Sequence, residues 1–296
     1  MSSAPQGPAA EPGEAPDGPP PRRTVLLLVE FDGSDFAGWQ IQRNQRTVQG
    51  VLGEALGRMV GHPVTARASS RTDAGVHALA MPVTFDTTVA IPPLGFLRGL
   101  NALLPPDVAV RRARDVPPGW RPRDAAVAKT YRYRWLAGPS RRPLERRRRW
   151  DVRRPLDVEA MRQAAAHLVG DFDFSSFRSS SCGARTTQRR IYRVNVEASE
   201  ERGAELPLAF EDASGDGDDD GAWQRGSIVV TGNAFLHKMV RILAGTLVEV
   251  GRRRHPPGWV AEVLAARDRT LAGPTAPPHG LTLERVHFTG YPRVGK

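Results

Sequence analysis

The chain has one cysteine, Cys182, among 296 residues. A single thiol excludes an intrachain disulfide and any multi-cysteine zinc site. Long apolar runs are also missing. None approaches the ~18–20 residues that cross a bilayer as a helix, which excludes a spanning helix. The longest near the start, Val25 to Val29, is too short even for a signal-peptide core. These absences point to a cytoplasmic protein with no membrane association. Acids are few beside bases, 32 against 42, a net charge of +10. What is present, 40% hydrophobic and 25% charged residues, is ordinary for a globular chain. The length suits one large domain or two of about 150 residues.

The net charge hides a split. Residues 197–221 carry ten acids and one arginine, a local −9, which leaves +19 elsewhere. Such an excess points to a polyanion, most simply nucleic acid. Abundant Ala, Gly and Pro, with Arg far outnumbering Lys, also fit a GC-rich gene, so charge alone leaves both readings open.

Residues 1–22 are Pro, Gly, Ala and Glu with no large apolar side chain beyond Met1 and are expected to be a disordered leader. TVLLLVEFDG then reads as a strand closed by Asp32-Gly33. Apolar periodicity predicts a helix from Val48 to Met59, with Thr47 as N-cap. Extended segments are expected at Val64–Ala68 and Ala78–Thr87, a helix over Pro93–Leu104 and a strand over Val108–Val116. The pattern restarts with a strand over 127–136. A helix follows over Asp157–Val169, capped by Asp157, and strands over Thr187–Val196 and Gly226–Thr231. Helices over Ala234–Val250 and Pro257–Ala266 precede a last strand, Gly280–Phe288. Strict βαβα alternation is absent. The expected fold class is α+β with two domains, 23–118 and 119–296. Each would be a mainly antiparallel sheet with helices on one face, and a cleft would lie between them. The acidic stretch at about 199–221 reads as a disordered insertion in a hairpin. It lacks the spaced ligands of an EF-hand, and no metal site is expected.

The loop SSRTDAGVHA, residues 69–78, places one carboxylate, Asp73, among small residues beside Arg71 and His77. Small residues admit a bulky ligand, and a cation two residues away favours the carboxylate form that a nucleophile needs. An Asp-Ala-Gly turn can equally be a cap.

Several motifs in fixed order carry a resemblance. They are EFDGSDFAGWQIQRNQRTVQGVL at 30–52, SSRTDAGVHALA at 69–80 and AKTYRYRWL at 128–136. GDFDFSSFRSSSCGARTTQRRI at 170–191, NAFLHKMVRILAGTLVEVG at 233–251 and DRTLAGPTAPPHGL at 268–281 complete the set. Together they resemble the tRNA pseudouridine synthases of the TruA type. The resemblance implies two similar α+β domains around a basic cleft, a homodimer, and no cofactor. It implies isomerisation of uridine to pseudouridine at tRNA positions 38, 39 and 40 of the anticodon stem-loop. It makes Asp73 the nucleophile, Tyr131 the contact to the target base and Arg241 the partner of the nucleophile. Arg71 would support base displacement or RNA contact.

Other residues follow from spacing. In the 127–136 strand, Tyr131, Tyr133 and Trp135 share one face, and Arg132 and Arg134 share the other, available to RNA phosphate. His237 and Arg241, four apart on the expected helix, would line the cleft together and touch substrate. Phe235 is either core or pocket wall. His77 is expected to satisfy its own loop, and Cys182 has no activating partner. Arg146 to Arg149 reads as a solvated charge run, with phosphate contact as the second reading.

Overall fold

The structure is a computed structural model and describes residues 22–201 and 223–288. The leader up to residue 21, and the acidic stretch from 202 onward, lie outside the described residues.

Strands β1 (Arg23–Phe31), β2 (Arg67–Ala68), β3 (His77–Thr87) and β4 (Val108–Val116) come from the first half, with helices α1 (Val48–Val60), α2 (Pro93–Leu103) and α3 (Pro122–Ala125). The second half supplies β5 (Ala128–Ala137), β6 (Trp150–Arg153), β7 (Gly170–Asp173), β8 (Gln188–Glu201), β9 (Trp223–Gly232) and β10 (Leu281–His287). Helices α4 (Val158–Ala166), α5 (Met239–Gly251) and α6 (Trp259–Ala266) complete it.

Local signals explain most of these boundaries. Thr47 Oγ1 accepts from the Gly50 amide at 3.3 Å and opens α1. Asp157 Oδ1 accepts from the Ala160 amide at 3.0 Å and opens α4. Alternation in β1 buries Val25, Leu27, Val29 and Phe31 together. β8 extends five residues beyond the expected Val196, because residues 197–201 still pair with 223–227 of β9.

The sequence separates two sheets, and the structure joins them into one of ten strands. Its order is β4-β1-β3-β10-β5-β9-β8-β7, with β2 on β3 and β6 on β5. The last strand makes the junction. β10 is antiparallel to β5 but parallel to β3, through Thr282↔His77 and Leu283↔Ala78. One continuous core spans both halves. It gathers Val25, Leu27 and Phe31 with Tyr131, Tyr133, Ile228 and the buried face of α5. The opposite sheet face is polar around β5, where Arg132 and Arg134 meet Glu284, Thr282 and Ser227.

His77 locks this junction. Its ring is 1% exposed. Nδ1 accepts from the Gly33 amide at 3.1 Å and Nε2 donates to the His279 carbonyl at 3.0 Å, which defines a neutral ring. Asp32 Oδ1 also lies 3.0 Å from Nδ1. The His279 carbonyl can only accept, so the proton of the neutral ring sits on Nε2, and Nδ1 is the acceptor of the Gly33 amide. Burial pushes the imidazole below its ordinary 6.5, against the pull of Asp32. His279 and His287 are lowered by burial as well. An unfolded chain would therefore take up these protons first. Stability should hold above about pH 6.5 and fall as the pH drops below it. Urea titrations at pH 7 and pH 5.5 test this: His77→Gln should show a smaller drop than the parent. An equal drop would remove His77 from the account.

Candidate active site

The loop carrying Asp73 is clamped from the β1 side. The Trp39 amide donates to Thr72 O at 3.1 Å and the Gly75 amide to Phe36 O at 3.3 Å. Gly38, at φ +99°, permits the approach, since a Cβ there would stand 2.6 Å from Thr72 O. The second half brings the partners. Arg241 NH1 lies 3.2 Å from Asp73 Oδ2, and His237 Nε2 lies 3.4 Å from Asp73 Oδ1. The Asp73 side chain keeps 23% of its surface open, against 12% for Arg241.

Arg241 is placed by a helix that is otherwise apolar except for Thr246 and Glu249. Every other residue of α5 is buried, so the helix is fixed by packing on all sides. The guanidinium divides its donors. NH1 goes to Asp73, and Nε to the Ala276 carbonyl at 2.8 Å. That carbonyl lies in a loop pressed against α5 where Gly245 has no side chain; a Cβ there would collide with Pro274 O. The pairing with Asp73 is thus single rather than bidentate.

His237 does not share the Arg241 helix. α5 begins at Met239, five residues later than expected, because Lys238 adopts φ +60° and breaks the helix. Asn233 Oδ1 instead accepts from the Ala234 and Arg190 amides, holding this segment as a loop. His237 still reaches Asp73 from that loop. Its carbonyl accepts from the Ser179 amide at 3.1 Å, and Nδ1 lies 3.2 Å from Ser181 Oγ.

Tyr131 rises from β5 across the pocket. Its hydroxyl is 3.1 Å from Ser70 Oγ, and its ring meets Phe235 edge-on at 5.2 Å. Burial, helped by the Asp73 charge, pushes the phenol up to about 12, with the Ser70 hydrogen bond opposing. The phenol is therefore neutral at neutral pH. Tyr133, two residues on, spends its hydroxyl on the Pro277 carbonyl at 2.8 Å and is core.

These groups surround a cavity of about 570 Å³ lined by Arg71, Asp73, Tyr131, Phe235 and His237. That volume suits a nucleoside-sized ligand. Residues Ser181, Cys182, Gly183 and Ala184 form part of the wall, and so do Lys129, Arg123 and Lys238. Those three cations were not singled out from sequence; the alternation that placed Tyr131 also places Lys129 on its face.

Arg132 and Arg134 are not brought to this pocket. They lie on the opposite sheet face. Arg132 pairs with Glu284 and Glu197 at 2.6 Å each, and Arg134 with Glu284 at 3.3 Å. Carboxylates distant in sequence already occupy the donors that were expected to meet phosphate.

Fold and pocket together define a class: an α+β enzyme centred on one carboxylate in a cationic pocket with aromatic walls. Comparison with known proteins supplies the particular family. The family described as tRNA pseudouridine synthase matches residues 27–123 and 164–289. "tRNA pseudouridine synthase A" of Geobacter sulfurreducens is 47% identical over 266 residues, 90% of this chain and all of that protein. The Myxococcus xanthus protein of the same name is 47% identical over 268 residues, 90% of this chain and 93% of its own. That of Geotalea uraniireducens is 42% identical over 268 residues, 90% of this chain and all of its own. The chain belongs to the tRNA pseudouridine synthase family. Among solved structures, a chain of a Cbf5-Nop10-Gar1 complex matches at 10% identity and a TM-score of 0.28. It covers 87% of this chain and 57% of that one, and it carries no argument.

Proposed function

We infer that this protein isomerises uridine to pseudouridine in tRNA, at positions 38, 39 and 40 of the anticodon stem-loop. The observation that carries the reading is Asp73, held by Arg241 and His237 and facing Tyr131 across an open pocket. In this reaction the C1′–N1 bond breaks, the uracil turns, C5 bonds to C1′, the C5 proton leaves to solvent, and the freed N1 takes up a proton, so the product is an isomer of the substrate. Asp73 either attacks C1′ or takes the C2′ proton. Arg241 stabilises its charge once a base excludes water. Tyr131, a neutral phenol, suits packing against the displaced base better than accepting a proton. Arg71 is exposed at the pocket mouth, where it can assist base displacement. His237 contacts the substrate while steadying Asp73. The chemistry is an isomerisation and calls for no redox or hydrolytic cofactor.

The same reading makes the protein a cytoplasmic homodimer, on the strength of the resemblance. Among the described residues no helix is long and apolar enough to cross a membrane. Pseudouridine mapping of tRNA from cells lacking the protein tests the function. Loss confined to positions 38, 39 and 40 is expected. An unchanged map would contradict it.

A further inference from the structure

Only three of the 42 basic residues are lysines, Lys129, Lys238 and Lys296. Two of them, Lys129 and Lys238, line the Asp73 pocket. Elsewhere many arginines have acids: Arg67 pairs with Asp86, Arg147 with Asp35, Arg190 with Asp171. Lys129 differs. It sits in β5 two residues before Tyr131, so both point to the pocket. Its ammonium makes no hydrogen bond or ion pair among the described residues. Arg123, on α3, lies close enough to repel it. Arg71, in the loop, lines the same pocket and also has no acid partner among the described residues.

A half-buried cation beside a second cation is costly unless an anion joins them. The pocket's own carboxylate, Asp73, is already engaged by Arg241 and His237. Ser70, Arg71 and Arg123 form a seam shared with a second cleft of about 260 Å³, which Arg67, Arg121, Gln49 and one acid, Asp124, also line. A polymer seated at Asp73 can continue along that seam. Resting on the isomerase reading, we propose that Lys129, Arg123 and Arg71 form the binding site for an RNA phosphodiester adjacent to the target uridine. Phosphate suits a Lys point charge flanked by Arg forks.

The site carries a proton signature. Burial, then the Arg123 charge, pushes Lys129 from 10.5 down to about 8. Besides Arg123, the charged or titratable groups lining the pocket are Arg71, Asp73, Tyr131, Cys182, His237 and Lys238. A bound phosphate favours the ammonium and raises it again. Above pH 8 the free protein must therefore take up a proton to bind, so affinity falls as pH rises. The expected loss from pH 7 to pH 9 is about tenfold.

The test measures affinity of the full chain for an unmodified tRNA transcript at pH 7 and pH 9, over a series of salt concentrations. Lys129→Met should weaken binding about tenfold at pH 7 and reduce the salt slope by about one charge. Lys129→Arg should restore affinity at pH 7 and lack the extra loss at pH 9, while any titration of the RNA itself appears in both proteins. Arg123→Gln, at an exposed position, should also reduce the slope. Parental affinity and slope in Lys129→Met, with the parent binding and turning over normally, would overturn the phosphate site alone. A parent that neither binds tRNA nor forms pseudouridine would overturn the isomerase reading and the inference with it.

Discussion

Asp73→Asn should abolish turnover while leaving tRNA binding nearly intact. The substitution keeps size and removes the charge that Arg241 and His237 face at 3.2 and 3.4 Å. Removing a nucleophile or base commonly costs about four orders of magnitude or more. Affinity comes mostly from phosphate contacts made by other residues, so it should stay within roughly tenfold of the parent. Tritium release from tRNA labelled at uridine C5 measures turnover, and filter binding measures affinity. Release within a few-fold of the parent would remove Asp73 from the chemistry. A parallel collapse of affinity would mean that the carboxylate organises the pocket rather than the reaction.

Arg241 should show the second largest effect, graded by substitution. Its guanidinium holds Asp73 with one nitrogen and the Ala276 carbonyl with another. Arg241→Lys keeps a charge but can satisfy only one of these partners, so a loss of about tenfold is expected. Arg241→Met removes the charge and leaves a carboxylate in a pocket that closes over a base. Loss of such an electrostatic partner costs roughly 10²–10³ in rate. Turnover by Arg241→Met within a few-fold of the parent's would mean that the contact between Arg241 and Asp73 does not support the reaction.

Features set by neighbouring residues were legible in the sequence. The Thr47 and Asp157 caps depend on amides three residues away, and the β1 alternation needs only its own side chains. The Asp73 loop could be singled out because its small residues and lone carboxylate are contiguous. Features that depend on distant partners were not legible. Nothing local in β10 announces that it lies between β3 and β5 and turns two sheets into one. The apolar spacing of Leu236, Met239, Val240 and Leu243 continues across Lys238 without glycine or proline, so the left-handed residue that starts α5 late leaves no mark. The alternation that put Arg132 and Arg134 on the far face was readable. Their acids were not, since Glu284 stands 152 residues from Arg132. The same alternation contained Lys129, whose significance needs the cavity that five separate segments of chain enclose.

The central claim is that Asp73, set between the two halves of one sheet, isomerises uridine in the anticodon arm. Its most direct test uses the purified protein and an unmodified tRNA transcript, with pseudouridine read at nucleotide resolution after incubation. The account predicts pseudouridine at positions 38, 39 or 40 wherever uridine stands there, and none when Asp73→Asn replaces the parent. Pseudouridine formed by Asp73→Asn at the parental rate, or a parent that leaves those uridines unchanged, would contradict it.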